Sequence, residues 1–221
     1  ALRAAAEQGL QLVMATARPM RASRAFVDKD ILTRALVISL NGAVAHSPTA
    51  PNSPMIFGSI GSFAAPLLEA LNQLDQAIGY SVETDGMRFC TNRYLDDREL
   101  WEAHSANRVM VIPLDAMDHQ NVTKVAVDGL GKQLSDVLDL APSFPELRFI
   151  PADDHSFVNI VPAGIDKSST LRELARVEGI DLTDSYGFGD DIPDVEMLDV
   201  VGTSVAMENS VDEVKNAATQ V

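Results

Sequence analysis

The sequence predicts an α/β fold in which a parallel, Rossmann-like sheet flanked by helices carries an inserted α+β unit. At both ends of the 221-residue chain, short apolar runs alternate with segments of helical spacing, the pattern of strands joined by helical crossovers. Residues 46–61, rich in Pro, Gly and Ser, interrupt this pattern as a domain boundary would. We therefore expect residues 1–53 and 155–221 to form one discontinuous core domain and residues 54–154 to form a domain inserted into it.

The first outer segment is predicted to contain one helix and two buried strands. Gly9 ends the helix, because glycine tolerates the left-handed conformation that follows a helix end. The turn Thr16-Ala17-Arg18-Pro19 separates the strands, and Pro19 suits the first turn of a further helix. The predicted bounds are 1–8 for the helix and 10–15 and 36–39 for the strands, with the turn pair Asn41-Gly42 after the second strand.

The inserted segment alternates between helical and strand patterns. Leu67, Leu71 and Leu74 have helical spacing, and Asp85-Gly86 between two short strands is a hairpin signal. Cys90 lies in one of these strands, and we interpret it as a small core residue rather than a nucleophile. The predicted helices are 63–78, 96–106 and 131–140, and the predicted strands are 80–83, 87–91, 109–112, 122–127 and 147–151.

The last segment returns to the alternation of strand and helix. Thr170 with Glu173 has the spacing of a capping box at the start of a helix, and Gly179 ends that helix. A strand after it leads directly into a turn that begins with Asp190. The predicted strands are 157–161, 186–189 and 203–206, and the predicted helices are 169–178 and 210–218.

The net charge of −15, from 32 acidic and 17 basic residues, predicts a surface that repels nucleic acid and anionic membranes. It also repels phosphate, so a phosphate site would need cations of its own. A single cysteine excludes an intrachain disulfide and favours the cytoplasm. No apolar run approaches the roughly 20 residues of a membrane-spanning helix. The chain begins within a predicted helix, without an initiator Met or a signal-peptide pattern, so we expect it to be cut from a longer protein.

Three carboxylates crowd the turn after the predicted strand 186–189, namely Asp190, Asp191 and Asp194. A cation relieves their mutual repulsion, and hard divalent ions such as Mg²⁺ prefer oxygen ligands. The alternative is that one of them caps a helix while another complements its dipole. One acidic residue suffices for that role, so we favour a metal site. The four histidines lack metal-ligand spacing, and we interpret them as surface or linker residues: His46, His104, His119 and His155.

Thr16 and Lys167 are the candidate phosphate ligands. Open parallel sheets bind ligands at the carboxyl ends of their strands, and both residues follow predicted strands, as Asp190 does. The Thr16 hydroxyl and the amides after it suit phosphate oxygens, although a threonine before a helix is also an ordinary cap. Lys167 precedes a predicted helix, where a cation is unfavourable unless an anion binds beside it. The alternative for Lys167 is a solvent-facing lysine.

Taken together, these residues resemble the motifs of the haloacid dehalogenase (HAD) superfamily, in its Cof-type branch. Thr16-Ala17-Arg18-Pro19 resembles the TGRP turn of that branch, and Asn41-Gly42-Ala43 resembles the next motif. Lys167 before a helix is similar to the third motif, and the run GDDIPDVEML from Gly189 to the fourth. The VAMEN run at 205–209 resembles the VAMGN segment that follows. Order and spacing agree over nearly the whole chain, and the insert lies where the branch carries an α/β cap domain.

The resemblance implies an enzyme that hydrolyses sugar phosphates and similar small esters with Mg²⁺ and forms an aspartyl-phosphate. It implies that Asp190 ligates Mg²⁺ and that Asp191 assists at the metal. Asp194 would hold the site as a carboxylate behind the metal ligands.

The resemblance also implies how the phosphoryl group is bound. Thr16 and the Ala17 amide would bind its oxygens, and Lys167 would neutralise both the phosphate and the nucleophile. The implied partner is a small phosphorylated substrate, with neither nucleic acid nor membrane. Substrate identity and oligomeric state stay open.

The sequence departs from the family pattern at three points. The DxDGT motif that carries the nucleophile and the acid/base of the family is absent, so we expect the nucleophile upstream of Ala1 and the 221 residues alone to be inactive. Pro193 replaces an asparagine that contacts phosphate, and Ala17 replaces a glycine of the turn. A non-catalytic HAD-like module that binds phosphate or a partner is therefore the alternative function. A phosphomutase of the same fold is a third.

Overall fold

The computed structural model describes residues 1–50, 52–75, 77–128, 132–151 and 157–221. The chain divides into two compact units, Ala1–Ala163 and Gly164–Val221. Parallel strand pairs occur in both units and an antiparallel sheet occurs in the first, so the predicted mixed α/β fold is confirmed. No helix among the described residues combines the length and the apolar character that crossing a bilayer requires.

Four strands and three helices open the first unit: α1 Leu2–Glu7, β1 Leu12–Ala15, α2 Met20–Phe26, α3 Lys29–Leu32, β2 Ala35–Ser39, β3 Val44–His46 and β4 Met55–Ile56. The strands form one sheet in the order β1-β2-β3-β4. β1 and β2 are parallel, as predicted, and β3 and β4 return antiparallel. All of β2 is buried, in keeping with its apolar sequence. Leu40 and Asn41 take positive φ after β2, which lets the chain reverse into β3.

The segment 46–61, expected to be a linker, instead contributes to this sheet. Met55 pairs with Ala45 and Ile56 pairs with Val44, so β4 is an integral strand. The prolines at 48 and 54 fall outside these paired positions, which leaves the ladder hydrogen bonds intact.

The rest of the first unit is built on a five-stranded antiparallel sheet in the order β6-β5-β7-β9-β8. Its elements are α4 Ala64–Leu74, β5 Gly79–Glu83, β6 Phe89–Thr91, α5 Asp97–His104, β7 Lys124–Asp128, α6 Lys132–Leu138, β8 Leu147–Pro151 and β9 Phe157–Pro162. Leu67 and Leu71 of α4 pack in one buried cluster with Val82 and Ile160 of the sheet. Burying these side chains stabilises the sheet by roughly 2 kcal/mol each. Cys90 on β6 is buried as predicted, and burial raises the pKa of its thiol to about 11.

The hairpin predicted at Asp85-Gly86 is confirmed, because β5 and β6 pair antiparallel around it. The Asp85 carboxylate accepts hydrogen bonds from the backbone N–H groups of Met87 and Arg88 and so stabilises the turn. Partial burial opposes ionisation of Asp85, but these hydrogen bonds outweigh it and hold the pKa of the carboxyl below its usual value.

The strand predicted at 157–161 is confirmed as β9, and it pairs antiparallel with β7 and β8 in the five-stranded sheet rather than in a parallel pair. The strand predicted at 109–112 is wrong. Residues 109–112 form no strand, because the Asn107 side chain accepts from the Val109 N–H and starts a 3-10 turn, which leaves Val109 90% exposed. The predicted end of the insert at residue 154 lies outside the described residues, as does His155. The division into core and inserted cap stays a prediction.

The second unit contains α7 Lys167–Glu178, β10 Tyr186–Gly189, α8 Val195–Leu198, β11 Thr203–Ala206 and α9 Asp212–Ala217. β10 and β11 are parallel, in agreement with the predicted pattern. Gly179 takes a φ of 70° at the end of α7, so the predicted helix end is confirmed. The predicted capping box of Thr170 and Glu173 is wrong. Asp166 and Ser169 form the box instead, because the helix begins two residues earlier.

Candidate active site

The turn Thr16–Pro19 follows β1 in the first unit and is fixed against the end of β2. The Thr16 N–H donates to Ile38 O at 2.9 Å, and Leu40 N–H donates to Arg18 O at 3.1 Å. Within the turn, the Arg18 N–H donates to Thr16 Oγ1 at 3.1 Å. Because Oγ1 accepts this bond, the hydroxyl proton of Thr16 is available to an acceptor outside the turn. Thr16 and Ala17 are both half-buried.

Lys167 lies in the second unit as the first residue of α7. It is 7% exposed, so the alternative interpretation as a solvent-facing lysine is wrong. Its Nζ donates to Asp194 Oδ1 at 2.5 Å, and both side chains are 9% exposed. A buried charge is tolerated when it is paired and hydrogen-bonded, which this contact provides.

Asp194 is buried at the end of the 3-10 turn Ile192–Asp194 and uses both of its carboxylate oxygens within the protein. Oδ1 accepts from Lys167, and Oδ2 accepts from the backbone N–H groups of Asp190 and Asp191 at 3.1 and 3.3 Å. A Cβ at Gly189 would lie 2.7 Å from the Asp194 Cβ, so glycine permits this close packing. Asp194 therefore ties the acidic turn to α7.

Asp191 and Asp190 differ in what their side chains do. Asp191 Oδ1 accepts from the Ile192 N–H at 2.7 Å and caps the short turn, so the capping interpretation describes this residue. Asp190 is exposed, and within the described part of the chain its carboxylate has no hydrogen-bond or ion-pair partner. Of the three aspartates, Asp190 is the most exposed, and both of its carboxylate oxygens are available to a ligand.

The Asp190 carboxylate has the chemistry that Mg²⁺ selects, an oxygen donor at an exposed site. Asp194 is a weaker candidate, because it is buried and both of its oxygens already accept hydrogen bonds. Among the described residues, no group of three or more His, Cys, Asp or Glu side chains comes together to hold a metal ion. Asp190 is therefore the candidate metal ligand of the second unit, and its backbone N–H is held by Asp194.

The predicted site residues thus fall into two groups. Thr16 and Ala17 lie together in the first unit, and Lys167, Asp190, Asp191 and Asp194 lie together in the second. That the two groups act on one ligand stays a prediction. Asp166, which caps the N-terminus of α7, was not among the predicted site residues. Partial burial opposes its ionisation, but hydrogen bonds from Ser169 and Ser168 outweigh this and hold the pKa of its carboxyl below the usual value.

Three buried charged residues of the first unit were not predicted either: Arg21, Glu83 and Lys124. A lysine within the apolar run 122–127 was the available signal, because a buried strand position rarely holds an unpaired cation. Lys124 Nζ donates to the carbonyl oxygen of Ala17 at 3.1 Å and so reaches the predicted phosphate turn.

His46 is not a surface or linker residue, as expected, but is 2% exposed at the end of β3. Burial lowers the pKa of its imidazole to about 4, with a contribution from Arg24. His46 lines a cleft of about 410 Å³ together with Met20, Lys29, Val37 and Asn52, among others. None of the predicted site residues lines this cleft.

Comparisons with known proteins match the whole chain to one family of hydrolases. A family model for haloacid dehalogenase-like hydrolases matches residues 1–221. The 5-amino-6-(5-phospho-D-ribitylamino)uracil phosphatase YitU of Bacillus subtilis is 26% identical over 224 residues, which span 97% of this chain and 80% of that protein. Other curated relatives are matched over only 50% and 22% of their own length.

Solved structures show the same fold. A haloacid dehalogenase-like hydrolase from Bacteroides thetaiotaomicron superimposes with a TM-score of 0.81 at 22% identity, over 97% of this chain and 81% of that one. A HAD subclass IIB sugar phosphatase, BT4131, gives a TM-score of 0.75 at 20% identity, over 100% of this chain and 82% of the other. At these identities the likeness concerns the fold alone.

Proposed function

The chain belongs to the haloacid dehalogenase-like hydrolase family, and on that premise we propose that it serves in the Mg²⁺-dependent hydrolysis of small phosphorylated metabolites. The observation that carries the proposal is the buried ion pair of Lys167 and Asp194 beside the exposed, unpartnered carboxylate of Asp190. Burying an ion pair is costly and adds little stability over apolar packing. The acidic turn follows the carboxyl end of β10, and parallel sheets bind ligands at the carboxyl ends of their strands.

The proposal gives each group one task. The Thr16 hydroxyl and the Ala17 amide donate to phosphoryl oxygens, and the Lys167 ammonium offsets negative charge on the transferring group. Asp194 fixes the Lys167 ammonium and the backbone of the acidic turn through its two oxygens. Asp191 caps the turn, so it would assist at the metal by fixing the conformation of that turn.

Asp190 would hold the metal ion. When bound, Mg²⁺ supplies positive charge that stabilises the phosphoryl group during transfer. The proposal also requires the aspartate nucleophile that the resemblance implies, in a segment outside these 221 residues. We propose that the protein is cytoplasmic, because its single buried cysteine is free, as is usual in a reducing compartment.

The favoured substrates are phosphorylated sugars or sugar alcohols. YitU is named as a phosphatase of a phospho-D-ribityl compound, and BT4131 is described as a sugar phosphatase. Both names describe a phosphate ester on a polyhydroxylated carbon chain. A chain of net charge −15 also disfavours polyanionic substrates such as nucleic acid.

Hydrolysis of a panel of sugar phosphates by the full-length protein tests the proposal. We expect activity that requires Mg²⁺, and we expect Asp190→Asn to lower kcat/KM by at least about 100-fold, as the loss of a charge-stabilising group does. Asp199→Asn removes an exposed carboxylate of the same unit and should leave kcat/KM unchanged. Activity that survives a chelator, or survives Asp190→Asn, would contradict the proposal.

The rival function is a non-catalytic module that binds phosphate or a partner. Pro193, which replaces a phosphate-contacting residue of the family pattern, favours it. This rival predicts stabilisation by phosphate without release of product from any ester of the panel.

A further inference from the structure

Buried charged side chains join the turn Thr16–Pro19 to the five-stranded sheet of the first unit. Arg21 on α2 is 2% exposed, and its guanidinium binds both carboxylate oxygens of Glu83 on β5 at 2.6 and 2.5 Å. Lys124 on β7 is 6% exposed and lies opposite Glu83 in the strand ladder. Its Nζ donates to the carbonyl oxygen of Ala17 at 3.1 Å. We call Arg21, Glu83 and Lys124 the charged cluster.

The charged cluster holds two buried cations and one buried carboxylate. Arg21 engages both oxygens of Glu83, so within the described residues the hydrogen-bond partner of Lys124 is the neutral carbonyl of Ala17. Burial lowers the pKa of Lys124 to about 8, with Glu83 opposing this shift and Arg21 adding to it. The positive charge of Lys124 is therefore only partly neutralised, and a bound anion would neutralise the rest.

The contact of Lys124 reaches Thr16 through one peptide unit. The Ala17 carbonyl belongs to the same peptide as the Arg18 N–H, and that N–H donates to Thr16 Oγ1. The ammonium thus fixes one end of the peptide whose other end sets the direction of the Thr16 hydroxyl. It also polarises this peptide, which strengthens the second hydrogen bond.

We propose that Lys124 is a positioning residue for phosphate binding: its ammonium holds the Ala17–Arg18 peptide so that Thr16 presents its hydroxyl proton to the phosphoryl group, and its charge attracts that group. This inference rests on the proposed function, because it takes the turn to be the phosphate site. It adds a residue from the five-stranded sheet to that site. The contrasting role is a purely structural contact, in which Lys124 only docks the turn onto the sheet.

Proton linkage distinguishes the two roles. If bound phosphate stabilises the Lys124 ammonium, deprotonation of Lys124 must weaken phosphate binding by the same factor. The groups that face Lys124 are Glu83 on β5 and Arg21 on α2, and His104 on α5 accepts from Arg21 through its carbonyl. Arginine stays protonated throughout this range, and burial lowers the pKa of His104, so its imidazole is neutral above pH 7. Phosphate itself becomes more negative over this range, equally for every variant. Relative to a variant whose charge at position 124 is fixed, the phosphate affinity of wild type should therefore fall between pH 7 and pH 9.

Calorimetric titration of the full-length protein with inorganic phosphate at pH 7 and pH 9 tests the inference. Lys124→Met should weaken phosphate binding about tenfold at pH 7, the scale of one hydrogen bond to a charged group. It should also abolish the fall in affinity toward pH 9. Lys124→Arg keeps its charge at both pH values, so it should bind phosphate within about threefold of wild type at pH 7 and should lose less affinity than wild type toward pH 9. Lys29→Met removes an exposed cation of the same unit and should match wild type in both affinity and pH profile.

Equal phosphate affinity and an equal pH profile for wild type and Lys124→Met would overturn the inference. So would an equal loss of affinity in Lys124→Met and Lys29→Met, since net charge alone would then explain it. Circular dichroism checks that each variant is folded. If Lys124→Met does not fold, wild type and Lys124→Arg decide: the same pH profile in both overturns the inference.

Thr16→Val separates this inference from the proposed function. If wild type binds no phosphate, or Thr16→Val binds it as tightly, the turn is not a phosphate site and the proposed function fails there. If Thr16→Val loses phosphate while Lys124→Met retains it at both pH values, only the role of Lys124 fails.

Discussion

Lys167 and Asp194 stabilise each other at positions where neither charge would be stable alone. Each side chain is 9% exposed, and their contact of 2.5 Å is charge-assisted. Removing one partner of such a pair leaves a buried charge without compensation and typically costs about 3–5 kcal/mol. Breaking the pair would therefore also disturb the acidic turn, which Asp194 holds by two backbone hydrogen bonds.

His46 makes stability depend on pH in a window set by its burial. Its imidazole has a pKa of about 4 in the folded protein, whereas an unfolded chain binds that proton near pH 6.5. Between these values the unfolded state binds more protons, so the free energy of unfolding falls as the pH falls through this window. From pH 7 to pH 4.5, we expect the free energy of unfolding to fall by on the order of 2 kcal/mol more in wild type than in His46→Leu.

Urea denaturation at the two pH values measures this difference, with His119→Leu as a control at a half-buried position. The carboxylates titrate alike in all three proteins, so they cancel in the comparison. Equal losses in wild type and His46→Leu would contradict the assignment of the effect to His46.

The acidic turn shows how far single residues could be predicted. Three adjacent carboxylates exceed what a helix cap needs, so the sequence indicated a further role for the group. The sequence could not assign a separate role to each aspartate, because the roles depend on side-chain directions. Asp194 turns inward to Lys167 of α7 and to two backbone N–H groups, Asp191 caps the turn, and Asp190 is exposed.

Helices and turns were predicted correctly where the sequence signal is local. The pairing of strands was not predicted where the partner strand is distant along the chain. The leucine spacing of α4 and the Asp85-Gly86 turn are local signals, and both predictions are confirmed. The strand Phe157–Pro162 was also recognised, but its pairing with β7 and β8 depends on residues far along the chain. Periodicity contains no information on that choice.

The start of α7 gives a test at this scale. Asp166 accepts from the Ser169 N–H at 2.7 Å, and Ser169 Oγ accepts from the Asp166 N–H at 2.9 Å. Asp166→Ala removes the cap, and we expect it to lower the free energy of unfolding by about 1 kcal/mol. Glu173→Ala removes the residue predicted to complete the capping box, and it should lower the free energy of unfolding less than Asp166→Ala does, because its contact with Arg176 is exposed.

Thermal and urea denaturation of the two variants measures these costs. A larger loss for Glu173→Ala than for Asp166→Ala would favour the predicted box over the one in the structure. The box also sets where Lys167 lies, because it makes that residue the first of the helix.

For the whole molecule, the net charge of −15 predicts how stability responds to salt. Like charges repel more strongly in the compact state than in the expanded one, and salt screens this repulsion over about 10 Å at 0.1 M. We expect the thermal unfolding midpoint to rise by a few degrees between roughly 20 mM and 200 mM NaCl. A midpoint that falls with NaCl would show that attractive ion pairs dominate.

The single buried cysteine has a practical consequence. Cys90 is shielded from solvent on β6, and a thiol with a pKa of about 11 is almost entirely protonated at neutral pH. Maleimide reagents and oxidants attack the thiolate, so the natural side chain should remain unmodified while the protein is folded. A cysteine introduced at any exposed position would then be the one that reacts, and the chain could take a fluorophore or spin label at a chosen residue without first being stripped of its own thiol.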